Sequence, residues 1–135
     1  MAMEIANHIA QEKHADYQFK SAGLVVVGNR IDENINTVLG EIGIESNWTP
    51  TGIDAFDIRK FDAVHVMTQR LKVTLCSYYR DIDLDGKITV LGIDNPSSRG
   101  IDAYRSCRDE LVEFYSNYIV TGRTENERRE AYSST

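Results

Sequence analysis

Ala63-Val64-His65-Val66-Met67, running straight into Thr68 to Tyr79, is the stretch that decides the fold. The first part is apolar and β-branched and reads as a buried strand. Thr68 supplies a hydroxyl suited to capping a helix, and Leu71 and Leu75 recur one turn apart. Thr68 to Tyr79 therefore reads as a helix with both leucines on the core. The pattern then repeats. Lys87 to Ile93 is a second apolar run with strand character, and Ile101 to Tyr118 is a longer helix with Tyr104, Cys107, Leu111, Phe114 and Tyr118 on one stripe. Strands alternating with helices predict an α/β fold: a parallel sheet in a three-layer arrangement with helices on both faces. In such sheets ligands bind beyond the carboxyl ends of the strands. Here those ends are Met67-Thr68 and Ile93-Asp94-Asn95-Pro96.

Outward from this unit, Met1 to Lys13 has Met1, Ile5 and Ile9 four apart and predicts an amphipathic helix. Tyr17-Gln18-Phe19 alternates as a short strand would and ends at Ser21-Ala22-Gly23. Leu24 to Val27 either extends the sheet or packs as a loop. Ile31 to Ile42 predicts a helix with Ile31, Ile35, Val38, Leu39 and Ile42 on one face, acidic residues in its first turn and Gly43 just past its end. Asp54 to Phe61 reads as a short helix or turn. The expected organisation is one α/β domain over residues 1–120 and a polar tail over 121–135.

The bulk numbers agree with a single domain. The chain has 135 residues, 41% of them hydrophobic, and a net charge of −6. No Lys/Arg cluster marks a nucleic-acid surface, and no apolar run approaches membrane-spanning length. The N-terminus has no signal-peptide pattern. Two cysteines, Cys76 and Cys107, are too few for a disulfide framework. A cytoplasmic setting without nucleic-acid or membrane partners is the expectation.

Met67-Thr68-Gln69-Arg70, Asn95-Pro96 and Asp102-Ala103-Tyr104-Arg105, with Ser21-Ala22-Gly23 upstream, resemble in order and spacing the low-molecular-weight protein tyrosine phosphatases. The resemblance covers Met1 to Tyr118. It implies a flavodoxin-like sheet and hydrolysis of phosphotyrosine or other phosphate monoesters. In that family a Cys-x5-Arg loop after the first strand carries the nucleophile, cradles phosphate on backbone N–H groups and clamps it with the Arg. Met1-Ala2-Met3-Glu4-Ile5-Ala6 looks like the segment just after that loop. On this resemblance the loop and the first, central strand are missing or replaced. Six residues after Cys76 stands Ile82, and six after Cys107 stands Glu113, so neither rebuilds the motif.

The resemblance also assigns a general acid to an Asp-Pro dipeptide. The matching pair here is Asn95-Pro96. An amide donates no catalytic proton, and such catalysis is worth about 10²–10⁴-fold. Asp94, one position earlier, is the substitute acid. The expected protein is thus a phosphatase-lineage domain without turnover, and the alternative is a binding or assembly module on the same scaffold. Its expected partner is a phosphotyrosine protein or another protein. Loss of a central strand leaves peptide groups unpaired at about 1–3 kcal/mol each. This predicts a homo-oligomer, a rearranged sheet, or entry of Tyr118-Ile119-Val120-Thr121-Gly122 into the gap.

Other motifs carry less. Asp81-Ile82-Asp83-Leu84-Asp85-Gly86 opens like a calcium loop, but position twelve is Gly92, and Thr89-Val90-Leu91 reads as a strand. A polar turn is the expectation, with no metal and no cofactor. His8, His14 and His65 lack metal spacing; His8 and His14 are expected exposed, His65 a satisfied core or edge residue. Thr74-Leu75-Cys76 matches a triplet of the thioredoxin-coupled arsenate reductases, where it ends a strand; here it falls within a predicted helix. Both cysteines read as buried small hydrophobes. Arg99 reads as a solvated surface residue.

Overall fold

The computed structural model describes residues 1–23, 33–46, 51–84, 86–97 and 99–119. Its elements run α1 (Ala2–Glu12), α2 (Glu33–Gly40), two short 3-10 turns (Ile53–Ala55 and Ile58–Lys60), β1 (Val64–Val66), α3 (Gln69–Tyr78), β2 (Ile88–Val90) and α4 (Ile101–Tyr118). β1 and β2 pair in parallel, with Val64 opposite Ile88, His65 opposite Thr89 and Val66 opposite Val90. α3 is the crossover between them, as a parallel pair requires.

Alternate residues of a strand face opposite sides, and this builds three layers. Val64, Val66 and Ile88 turn to a core shared with Leu75 of α3, Ile58 and Leu84. His65 turns to the other side, where its ring meets Phe114, Tyr115 and Tyr118 of α4. Met67, Leu91 and Ile93 continue that side into the larger core, built from Ile5, Ala6, Ile9 and Ala10 of α1, Leu39 of α2, and Cys107, Leu111 and Tyr115 of α4. Ile5, Leu39 and Leu111 are wholly buried, and each contributes about 1.5–3 kcal/mol of hydrophobic stabilisation.

α1 and α2 end alike. At α2, the Ile44 N–H donates to the Leu39 carbonyl at 2.9 Å and Gly43 N–H to Gly40 at 3.1 Å. Gly43 sits at φ 77. This is a Schellman stop with glycine in the left-handed position, as the sequence predicts. At α1, Ala15 N–H donates to Ala10 and His14 N–H to Gln11, and the left-handed residue is His14 at φ 53.

Five expectations are corrected. Tyr17-Gln18-Phe19 forms no strand. Its alternation is real, but its peptide partner is a side chain: Asn7 Nδ2 donates to the Phe19 carbonyl at 3.1 Å and Asn7 Oδ1 accepts from the Phe19 N–H at 3.0 Å. Leu71 is 39% exposed: among the described residues α3 packs on a three-residue strand pair, and Leu75 alone of its residues is buried. Ile42 is 36% exposed, since the Schellman turn carries it off the helix face. On α4 the buried stripe passes through Tyr115, with Phe114 and Tyr118 half-buried beside it. β1 and β2 are shorter than expected, and β1 is half-buried throughout. Ile119 is the buried C-cap of α4. The expectations for Leu24–Val27, Ile31, Val120–Gly122 and the 121–135 tail lie outside the described residues.

Candidate functional site

The carboxyl ends of the two strands converge. Leu91 N–H donates to the Val66 carbonyl and Ile93 N–H to the Met67 carbonyl, both at 2.9 Å. This holds the turn after β1 beside the turn after β2. Thr68 caps α3, its Oγ1 accepting the Leu71 N–H at 3.3 Å. After β2, Gly92 takes φ 70 and turns the chain. Asp94 and Asn95 are exposed on this turn, with Pro96 buried behind them. Asn95 Oδ1 accepts the Ser97 N–H at 3.0 Å, and the Arg99 N–H donates to the Pro96 carbonyl at 3.1 Å. The Asn95 carbonyl oxygen is therefore engaged in holding its own loop. Arg99 is exposed at the end of that loop, and Gly100 at φ 88 leads into α4.

The start of α1 carries its own negative charge. The Glu4 carboxylate and the Met1 amino group lie 3.4 Å apart, with side-chain exposures of 8% and 7%. A carboxylate in a first turn offsets the positive end of the helix.

A phosphate nucleophile needs a lowered thiol pKa, and the setting of Cys107 opposes it. Cys107 is buried on α4, and burial pushes its thiol up. Cys76 lies within α3, so the Thr-Leu-Cys triplet is helical and unlike its strand-ending counterpart. Its thiol lines a shallow depression of about 450 Å³ with Gln69, Lys72, Val73, Ser77 and Arg80, on the outer side of α3 and without Thr68 or Asn95. Leu84, in the stretch before β2, is buried, and the Ile88 N–H donates to its carbonyl. Among the described residues no group of three His, Cys, Asp or Glu side chains comes together as a metal site.

His65 is more deeply buried than its strand-end position suggests. Its Nδ1 lies 2.8 Å from the Tyr115 hydroxyl. Its Nε2 is shut from solvent and has no hydrogen-bond partner among the described residues. Desolvation lowers its pKa from 6.5 to about 4, so the ring is neutral at physiological pH. His14 is exposed, and His8 is half-buried, with Nε2 2.9 Å from Glu12 on the next turn.

The sequence model of the low molecular weight phosphotyrosine protein phosphatases matches residues 1–128. The chain belongs to that family. Solved structures agree on the fold. The low molecular weight protein tyrosine phosphatase from T. tengcongensis superposes with a TM-score of 0.76 at 24% identity, covering 84% of each chain. A mutant of YwlE from Bacillus subtilis gives 0.71 at 23% identity over 96% of this chain and 85% of its own. The YwlE arginine phosphatase from Geobacillus stearothermophilus gives 0.71 at 22% identity, over 84% and 80%. A search of the curated proteins found no match. Within the phosphatase family, then, this chain keeps the parallel strand pair, its crossover helix and the strand-end turns. Across its 135 residues no cysteine is followed six positions later by an arginine.

Proposed function

We propose that this chain is a phosphatase-lineage domain, its ancestral chemistry the hydrolysis of phosphotyrosine or related phosphate monoesters, that performs no turnover by itself. The observation that carries this is the lack of any Cys-x5-Arg sequence among the residues. Without the thiolate there is no covalent intermediate, and without the loop there is no cradle for the transferred phosphoryl group. Asn95 at the general-acid position supports the same reading, because its amide holds no transferable proton and its oxygen is bonded to Ser97. Asp94 is exposed one residue away and is the acid this chain could offer. The rise in the Cys107 thiol pKa opposes its use as a nucleophile.

The test is hydrolysis of p-nitrophenyl phosphate and of a phosphoarginine peptide, the second because two similar structures are of an arginine phosphatase. Each is measured before and after thiol alkylation. No turnover is expected with either substrate. Turnover abolished by alkylation would make Cys76 or Cys107 a nucleophile and overturn the proposal.

One observation favours a second reading, a non-catalytic assembly module that pairs with a protein partner or with another copy of itself. In a parallel ladder successive residues direct their peptide groups to opposite sides. Val64 N–H donates to the Lys87 carbonyl, so the His65 peptide groups point away from β2. Among the described residues no strand lies on that side. Such an edge accepts an added strand. Light scattering over a concentration series checks this reading; a monomer at every concentration would remove its homo-oligomeric form.

A further inference from the structure

One polar side chain of the sheet packs against α4. His65 is the only ionisable residue within β1, and it projects into an aromatic box made by the last turn of α4. The Tyr118 ring stands perpendicular to it at 4.9 Å between centroids, Phe114 perpendicular at 5.7 Å, and Tyr115 tilted at 5.7 Å. The same turn is held from behind. Lys13 Nζ donates to the Ser116 and Ile119 carbonyls at 2.5 and 2.8 Å. Tyr118 also packs on Tyr17, and Tyr115 on Phe19.

We propose that His65 and the aromatic last turn of α4 form an acid-sensitive latch, closed while the imidazole is neutral and released when it takes up a proton. A neutral imidazole has one donor and one acceptor nitrogen, and the Tyr115 hydroxyl can serve either at Nδ1. An imidazolium has two N–H donors. Its Nδ1–H keeps the Tyr115 oxygen, and its Nε2–H is a charged donor enclosed without an acceptor.

Among the described residues no carboxylate answers that charge. The groups facing the ring are the Tyr115 and Tyr118 phenols on α4 and Thr89, its partner on β2. Burial alone depresses the imidazole pKa, with no ionised side chain contributing. The Phe114 and Tyr118 rings, perpendicular to the imidazole, can offset a cation in part, which acts against the latch. A proton taken up by His65 is therefore accommodated by moving α4's last turn away from β1 and letting water in. This is regulation of packing and is independent of whether the chain turns over substrate.

Hydrogen exchange resolved to peptides tests it, corrected for the pH dependence of the chemical step. Linkage between pKa values of 6.5 in the open state and about 4 in the closed one predicts a rise in opening of about 20-fold from pH 7 to pH 5. The rise is expected in peptides covering residues 112–119 and 63–67, with α2 still protected. His65→Phe is expected to flatten it. An equal pH response in His65→Phe, or an equal loss of protection over every helix, overturns the latch. Should His65→Phe fail to fold, an NMR titration of the wild-type His65 ring decides. Titration near 4 is expected; titration at or above 6.5 would mean that the aromatic faces hold the imidazolium, and the latch would not exist.

Discussion

His14 and Asn7 show how single side chains set local backbone in this chain. His14 occupies the left-handed position of the α1 stop at φ 53, a conformation that costs an L-residue about 1–2 kcal/mol. Glycine removes that cost but adds about 0.5–1 kcal/mol of unfolded-state entropy. The first term wins, so His14→Gly is expected to stabilise the domain by about 0.5–1 kcal/mol, read as a higher midpoint in urea with unchanged slope. Asn7 acts oppositely, through its side chain. Its amide closes a two-bond ring with the Phe19 peptide, as a neighbouring strand would. Asn7→Ala leaves a half-buried N–H and C=O without those partners and is expected to cost about 1–3 kcal/mol. A change under about 0.5 kcal/mol in chemical denaturation would mean that water replaces the amide without loss. Neither role was legible in the sequence. Tyr17-Gln18-Phe19 has strand alternation, and periodicity says nothing about whether a peptide's partner is a peptide or an Asn.

Between elements, a charged tie binds α2 to α4. Glu41 accepts from Arg105 Nη2 at 2.8 Å and from Arg108 Nη1 at 2.6 Å, and Arg108 Nη1 also donates to the Val38 carbonyl at 3.0 Å. Hydrogen bonds from Arg105 and Arg108 lower the Glu41 pKa from 4.5 to about 2. The sign follows from the lowered value. The tie is whole above about pH 4.5 and is lost as pH falls through about 2. Glu41→Gln is therefore expected to lower stability near neutrality and to flatten the part of the acid-unfolding curve between those values. An unchanged acid limb in the variant would show that the tie contributes nothing to folding. Most of this window lies below that of His65, which runs from 6.5 to about 4, so the two titrations are separable. α4 itself was legible from its 3- and 4-residue spacing, and so were the Thr68 cap and the Gly43 stop, because each rests on local backbone chemistry. The tie was only half legible: Asp102 and Arg105 are a visible i,i+3 pair, whereas Glu41 reaches Arg105 across 64 positions. The convergence of the two strand-end turns was legible by topology alone. The Asx bond from Ser97 to Asn95 was not among the sequence expectations, although Asn-Pro-Ser suits such a turn.

At the scale of the whole molecule, the narrow sheet divides the interior unequally. Among the described residues the α1/α2/α4 side has eleven buried residues in its core and the α3 side has four: Ile58, Leu75, Leu84 and Ile88. The exposure of Leu71 follows from this imbalance, since a three-residue strand pair is too narrow a floor for the ten-residue α3. A sequence shows that Leu71 and Leu75 share a helix face; it does not show how wide a sheet that face will meet. Weakly packed units open before the rest of a domain. Leu84 is 2% exposed, and Leu84→Ala removes a quarter of the small core's buried side chains at a cost of about 2–4 kcal/mol. Because the larger core shares few of those contacts, the cost is expected to fall locally. Amides of α3 and of the turn before β2 should lose protection in hydrogen exchange, while those of α1 and the middle of α4 keep theirs. Leu111→Ala, in the larger core, should instead lower protection everywhere. Equal loss of protection across all four helices in Leu84→Ala would show that the two cores unfold as one unit, with the strand pair transmitting the damage in full.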